Sequence, residues 1–302
     1  MDRLVSDGKE SMAVAPMSEF KDILLALNTY PDATPEPVID WAVNFACLCG
    51  GKISALVSIL DRKKLARAYS HGSWLLDVPA LIDEAVNTSG QNGRRLMERF
   101  EKEARQRGVF QDEQYERSAF FLSAEHVIES AKTRDLVLAP VPDSFGLDEL
   151  EIEDLVFQTG RPAILIPAYD CAPRLPVSLD RIAVAWDFSR AASRALADAM
   201  PLLKKAKKVS VLTFRGEKDI PAHLSLKEVD RHLQMHGVTA EMEDAAIDGR
   251  AIGDALREYA SRHKIDMLVM GAFGHSRLRE FILGGASRAI MTKPPLPVFM
   301  SH

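Results

Sequence analysis

Cysteine is scarce in this 302-residue chain, which has only Cys47, Cys49 and Cys171. Three thiols cannot all pair internally, and no Cys/His grouping has zinc-site spacing. A disulfide scaffold and a structural zinc fold are therefore excluded, and a reduced cytosol is the simplest compartment. Cys47 and Cys49 stand two apart in a segment that reads as helical, so their side chains point away from each other. Excess positive charge is lacking too: 38 Lys and Arg against 43 Asp and Glu leave a net charge of −5. That balance gives no electrostatic case for nucleic acid or for an anionic membrane surface. No apolar run approaches the ~18 residues of a membrane span. Residues 1–18 carry Asp2, Arg3, Asp7, Lys9 and Glu10, have no apolar core of signal-peptide length, and read as a flexible tail.

What the chain does have is the composition of a soluble globular protein, 47% hydrophobic and 27% charged. It is long enough for two domains, each with its own core. An internal repeat makes that division concrete. The run Asp22-Ile-Leu-Leu-Ala-Leu-Asn28 lines up with Arg181-Ile-Ala-Val-Ala-Trp-Asp187. Each is followed by a helical pattern (Val38 to Cys49, Ala191 to Lys205) and then a second strand (Lys52–Ile59, Lys208–Phe214). Further on, Asp135-Leu-Val-Leu-Ala139 matches Asp266-Met-Leu-Val-Met270, each after a helix, near Ala124–Lys132 and Arg250–Arg262. Both units close on an apolar strand, Ala163–Ile166 and Val298–Met300.

Strands alternating with helices require a parallel sheet with right-handed crossovers. The fold class is α/β: two tandem domains, each a five-stranded parallel sheet with helices on both faces, Rossmann-like in general layout. The boundaries are a tail at 1–18, a first domain at 19–168, a linker at 169–180 holding Pro173 and Pro176, and a second domain at 181–302. The third strand of each unit is weakly marked and is predicted near Tyr115–Phe121 and Thr239–Ala245. The segment Ala80–Arg107 reads as largely helical, with Gly90 and Gly93 as candidate breaks.

In such sheets ligands bind outside the carboxyl ends of the strands. Gly271 lies there, after the apolar run Met267–Met270, and opens the stretch GAFGHSRLREFILGGAS. Glycines between a strand end and a helix start bring backbone N–H groups close to a ligand, which suits a phosphate. A strand-to-helix turn can also need glycine for its own geometry alone. The helix from Gly284 onward is expected to stop before Pro294.

The spacing of Gly271, Gly274, Gly284 and Gly285 resembles the Gly-x2-Gly-x9-Gly-(Ser/Thr) signature of ATP-binding universal stress proteins. Residues 20–302 as a whole look like two such domains in tandem, with the adenine nucleotide alpha hydrolase-like fold. The resemblance implies an ATP site in the second unit, with Mg2+ or Mn2+ accompanying the nucleotide. Asp187, in Ala185-Trp-Asp-Phe-Ser189, would contact ribose or adenine, with Ala185 and Trp186 beside it. Phe214 would pack on the base. Gly271, Gly274, Gly284, Gly285 and Ser287 would hold phosphates, with Arg277 neutralising charge. It further implies dimerisation through the last strands, met inside one chain as a pseudo-dimer or between chains as a homodimer, and a sensor or adaptor role with an unnamed protein partner.

One residue departs from the pattern. Gly285 stands where the family has Ser or Thr, removing one hydroxyl, and Ser287 is the nearest substitute. The first unit departs entirely. It has Pro140-Val-Pro-Asp-Ser-Phe-Gly146 and then Asp148, Glu149, Glu151, Glu153 and Asp154, whose charge would repel a triphosphate, and Asn28 replaces the aspartate. It is expected to bind no ATP. Simpler readings stand beside these: Asp187 as a helix cap, Phe214 as core, Arg277 and Arg279 as solvated charges, His275 as a surface histidine. A carrier of another small ligand such as a lipid, or a dimerisation module with a relic loop, is the alternative function. No general base for ATP hydrolysis is identifiable, which leaves slow hydrolysis open.

Overall fold

The computed structural model describes residues 20–68, 78–118, 124–142, 148–169, 175–176, 178–215, 225–247, 249–272, 274–275, 282–283 and 285–302. In the first half the elements are β1 (Asp22–Leu27), α1 (Glu36–Cys49), β2 (Lys52–Leu60), α2 (Arg62–Ala68), α3 (Val78–Gln106), β3 (Phe110–Ser118), α4 (Ala124–Ala131), β4 (Leu136–Val141), α5 (Asp148–Gln158) and β5 (Ala163–Pro167). In the second half they are β6 (Arg181–Ala185), α6 (Arg190–Leu203), β7 (Lys208–Arg215), α7 (Leu226–Met235), β8 (Ala240–Ala246), α8 (Ile252–His263) and β9 (Met267–Gly271). These are followed by the two-residue strands β10 (Gly274–His275) and β11 (Ile282–Leu283), α9 (Gly285–Thr292) and β12 (Val298–Ser301).

The two five-stranded sheets are fused into one. Its order is β3-β2-β1-β4-β5-β12-β9-β6-β7-β8, so the halves repeat the same strand order outward from the middle. Within this ten-stranded sheet every pairing inside a half is parallel, and the central β5–β12 pair is antiparallel, with Ile164 opposite Phe299. The two halves of the chain thus meet edge to edge through β5 and β12.

The strands are apolar almost throughout because both faces are covered. Ile23, Leu25 and Leu27 of β1 join a core cluster under α1, α3, α6 and α7, whereas Leu24 and Ala26 join one under α4, α5, α8 and α9. Both halves use one device to fasten the first strand. The carboxylate of Asp135 accepts from the backbone N–H groups of Lys21 (2.8 Å) and Asp22 (3.0 Å), and that of Asp266 accepts from Arg181 N–H (2.8 Å).

Two sequence expectations need correction. The third strand of the first half begins at Phe110, five residues before the predicted start, and its described part ends at Ser118. Its sequence, FQDEQYERS, is polar because it is an edge strand held by pairing to β2, so composition could not mark it. Gly90 and Gly93 do not break α3, which runs unbroken through both. Gly93 is there for contact: a Cβ would lie 3.1 Å from Ile59 Cγ1. Cys49 is buried, and burial pushes its thiol up to about 12, which makes it inert.

Gly271 ends β9 against the start of α6. A Cβ there would lie 2.4 Å from both the carbonyl carbon of Ala191 and the amide nitrogen of Ala192. Backbone atoms cannot yield as a flexible side chain can. Gly271→Ala is therefore expected to cost about 1–3 kcal/mol in denaturant unfolding. Gly285→Ala, where a Cβ meets nothing within 4 Å, is expected to cost nothing. Equal stabilities for the two variants would show that α6 is not packed on β9 in this way.

Candidate functional site

In the second half β6 is flanked by β7 on one side and β9 on the other, so the strand order reverses there and leaves a crevice at the carboxyl ends. Beyond Ala185 the chain makes one more ladder bond, Trp186 N–H to Leu212 O (2.8 Å), and then leaves the sheet. Thr213 Oγ donates to Trp186 O (2.9 Å) and braces that exit. The Asp187 carboxylate accepts from Ser189 N–H (3.0 Å), and Ser189 Oγ accepts from Ala192 N–H (3.0 Å). Ser189, not Asp187, therefore caps α6. Asp187 shapes the turn before it, and its side chain is half-buried at the crevice.

The turn carries a feature that the sequence does not announce. Phe188 has φ of +60°, in the left-handed region. For a residue other than glycine this costs roughly 1–2 kcal/mol, and Asp-Phe-Ser contains none of the Gly or Asn that would signal it. The Phe188 ring stands edge-on to Trp186, with centroids 6.0 Å apart at 73°. The indole Nε1 of Trp186 is buried with no hydrogen-bond partner.

On the other side of the crevice, Phe214 on β7 is half-buried and packs against the core under α4, α5, α8 and α9. Gly271 lies at the mouth, with its small size fixed by α6 as described above. Gly274 is in β10, which pairs antiparallel with β11 (Gly274 opposite Leu283), a small ladder that the sequence did not suggest. Arg277, Arg279 and Gly284 lie outside the described residues. Gly285 is the exposed first residue of α9, and Ser287, two residues in, is buried with 4% of its surface accessible. α9 is held in place by Arg257 of α8, which donates to Ala289 O (2.6 Å) and Lys293 O (3.3 Å). The structure thus gathers Ala185, Trp186, Asp187, Phe214 and Gly271 at adjacent strand ends, with the start of α6 beside them. Among the described residues no three His, Cys, Asp or Glu side chains gather into a metal site.

The equivalent crevice of the first half is closed by its own chain. Asn28, at the position of Asp187, is turned inward and buried, its Nδ2 donating to Pro140 O (3.4 Å). Ser58, at the position of Phe214, is buried as well. Helix α3 lies across both. Its Ser89 Oγ accepts from Leu60 N–H (3.0 Å) and bonds Thr29 Oγ (2.7 Å), while Asn92 Nδ2 donates to Thr29 O (3.0 Å). Gly93 rests on Ile59 beside them. No residue pattern in the sequence places α3 there; only the contacts reveal it.

Residues 178–302 match the model of the Universal stress protein family. A universal stress protein of Synechocystis sp. is 31% identical over 88 residues, which span 29% of this chain and 30% of that protein. Among solved structures, a universal stress protein from Archaeoglobus fulgidus superposes with a TM-score of 0.64 at 17% identity, covering 93% of this chain and 97% of that one. A functionally unknown protein from Pseudomonas aeruginosa superposes at 0.57 and 14% identity, covering 94% and 93%. At these identities the likeness is one of fold, and it extends along both halves. The second half of the chain, residues 178–302, is a universal stress protein domain.

Proposed function

We propose that the second half binds ATP, or another adenine nucleotide, at the carboxyl ends of β6, β7 and β9. On this reading the chain acts in the cytoplasm as a nucleotide-responsive sensor or adaptor in stress response. The observation that carries the proposal is the difference between two crevices of the same backbone design. In the first half Ser89, Asn92 and Gly93 of α3 fill the strand ends. In the second half the equivalent ends present Asp187 and the start of α6, whose helix dipole favours anionic oxygens.

Asp187 would accept from ribose hydroxyls or adenine, beside the backbone of Ala185 and Trp186, and Phe214 would border the base. Gly274, Gly284 and Gly285 would admit phosphate to the backbone, and Arg277 would offset its charge. Mg2+ or Mn2+ would then arrive on the phosphate oxygens, because the described residues supply no metal cage of their own. Gly271 favours a second reading, a dimerisation module or other carrier with a relic loop, because its packing on α6 explains it without any ligand.

Calorimetric titration with ATP is expected to give one site per chain. A stoichiometry near two would show that the first-half crevice opens. No heat of binding, with a lipid or nothing released from the purified protein, would favour the relic loop.

Gly285→Ser tests the missing hydroxyl. A side chain at Gly285 meets no atom within 4 Å, and its φ is not positive, so the variant is expected to fold normally. One added hydrogen bond, worth about 1 kcal/mol, should tighten ATP a few-fold and AMP less. Equal gains for both nucleotides would place Gly285 away from the distal phosphates.

A further inference from the structure

Phe188 is in a conformation that its residue type disfavours, and among the described residues it belongs to no core cluster. Its φ of +60° would suit glycine or asparagine, and it has no side-chain polar atom with which to compensate. Its ring belongs to none of the hydrophobic clusters of the described residues, whereas Trp186 and Phe214 are each packed against one. The ring is half-buried, and Trp186 edge-on is its aromatic neighbour. It follows Asp187 directly, at the carboxyl end of β6. Strained residues that the fold does not need cluster where function needs them.

We infer that Phe188 is a base-stacking residue of the nucleotide site, presenting an aromatic face to a purine at the crevice mouth. This rests on the nucleotide reading above and sharpens it. The Asp187 carboxylate and the Phe188 ring leave the backbone at successive residues of one turn, so a hydrogen-bond acceptor and a π-face are set together. That pairing selects a nucleoside, not phosphate alone. The left-handed turn holds the ring at the mouth instead of letting it fold back into the core.

The test is Phe188→Gly, measured against ATP, AMP and inorganic tripolyphosphate by calorimetry, with unfolding followed in parallel. Glycine relieves the backbone, so the unfolding midpoint is expected to stay level or rise. ATP and AMP are each expected to weaken about fivefold or more, the loss of one stacking face, and tripolyphosphate to be unaffected. Phe188→Trp should retain ATP affinity. Unchanged ATP affinity in Phe188→Gly, equal weakening of tripolyphosphate, or a lowered unfolding midpoint would each overturn the inference while leaving the nucleotide reading intact. Absence of ATP binding to the unaltered protein would overturn both.

Discussion

The antiparallel pairing of β5 with β12 is the constraint on which the rest of the molecule depends. Each strand is fully buried and apolar, AILIP and VFMS, and each would be an open sheet edge if the halves were separate. Exposed apolar edges recruit other chains. Here the two edges satisfy each other, through Val298 opposite Leu165 and Met300 opposite Ala163. Phe20 and Phe299 meet at the same seam, 6.2 Å apart, and Lys205 Nζ reaches across to Leu48 O (3.0 Å). The outer edges, β3 and β8, are of the opposite character. FQDEQYERS and AEMEDAA carry the charge that discourages further strand addition. Pairing therefore closes inside the chain.

That closure frees the two halves to diverge. Their sheets share one strand order, and Asp135 and Asp266 fasten the start of the first strand in each. Their crevices differ. A half locked to its partner by a sheet can lose its ligand loop without losing its place in the fold. In the first half the same strand ends carry Thr29, Ser89 and Asn92 in a buried hydrogen-bonded contact. Polar groups paired in that way are costly to expose again, since each would lose its partner before water or ligand replaced it. The plug is accordingly part of the first half's stability, while the second half keeps its turn under strain.

Most of the fold was legible because both-face burial writes strands as continuous apolar runs, and the repeat supplied a second copy of each. The edge strand β3 was displaced in the reading because an edge has no such run to read. The helical character of α3 is legible, but its continuity through Gly90 and Gly93 is not, because Gly93 serves close approach to Ile59. The strand ends that carry Asp187, Phe214 and Gly271 were legible from the repeat and the glycine spacing. The cap at Ser189, the brace from Thr213 and the left-handed Phe188 were not. Each depends on a backbone dihedral or a partner far away in sequence, which no local pattern encodes.

The glycines show where a motif stops being evidence. Gly271 and Gly285 belong to the same signature, yet physical demands on them differ completely. At Gly271 the backbone of Ala191 and Ala192 forbids any side chain, so its presence says nothing about a ligand. At Gly285 nothing forbids one, so the absence of the family's hydroxyl there is a feature of this chain and not a requirement of its packing. Ser287 is a poor stand-in, since it is buried in α9 while Gly285 faces outward. On the proposed nucleotide reading, a site with one phosphate contact fewer and a strained aromatic beside Asp187 leans on the nucleoside more than on the triphosphate. If so, discrimination among adenine nucleotides by phosphate number should be shallow here, and discrimination between purine and bare phosphate steep.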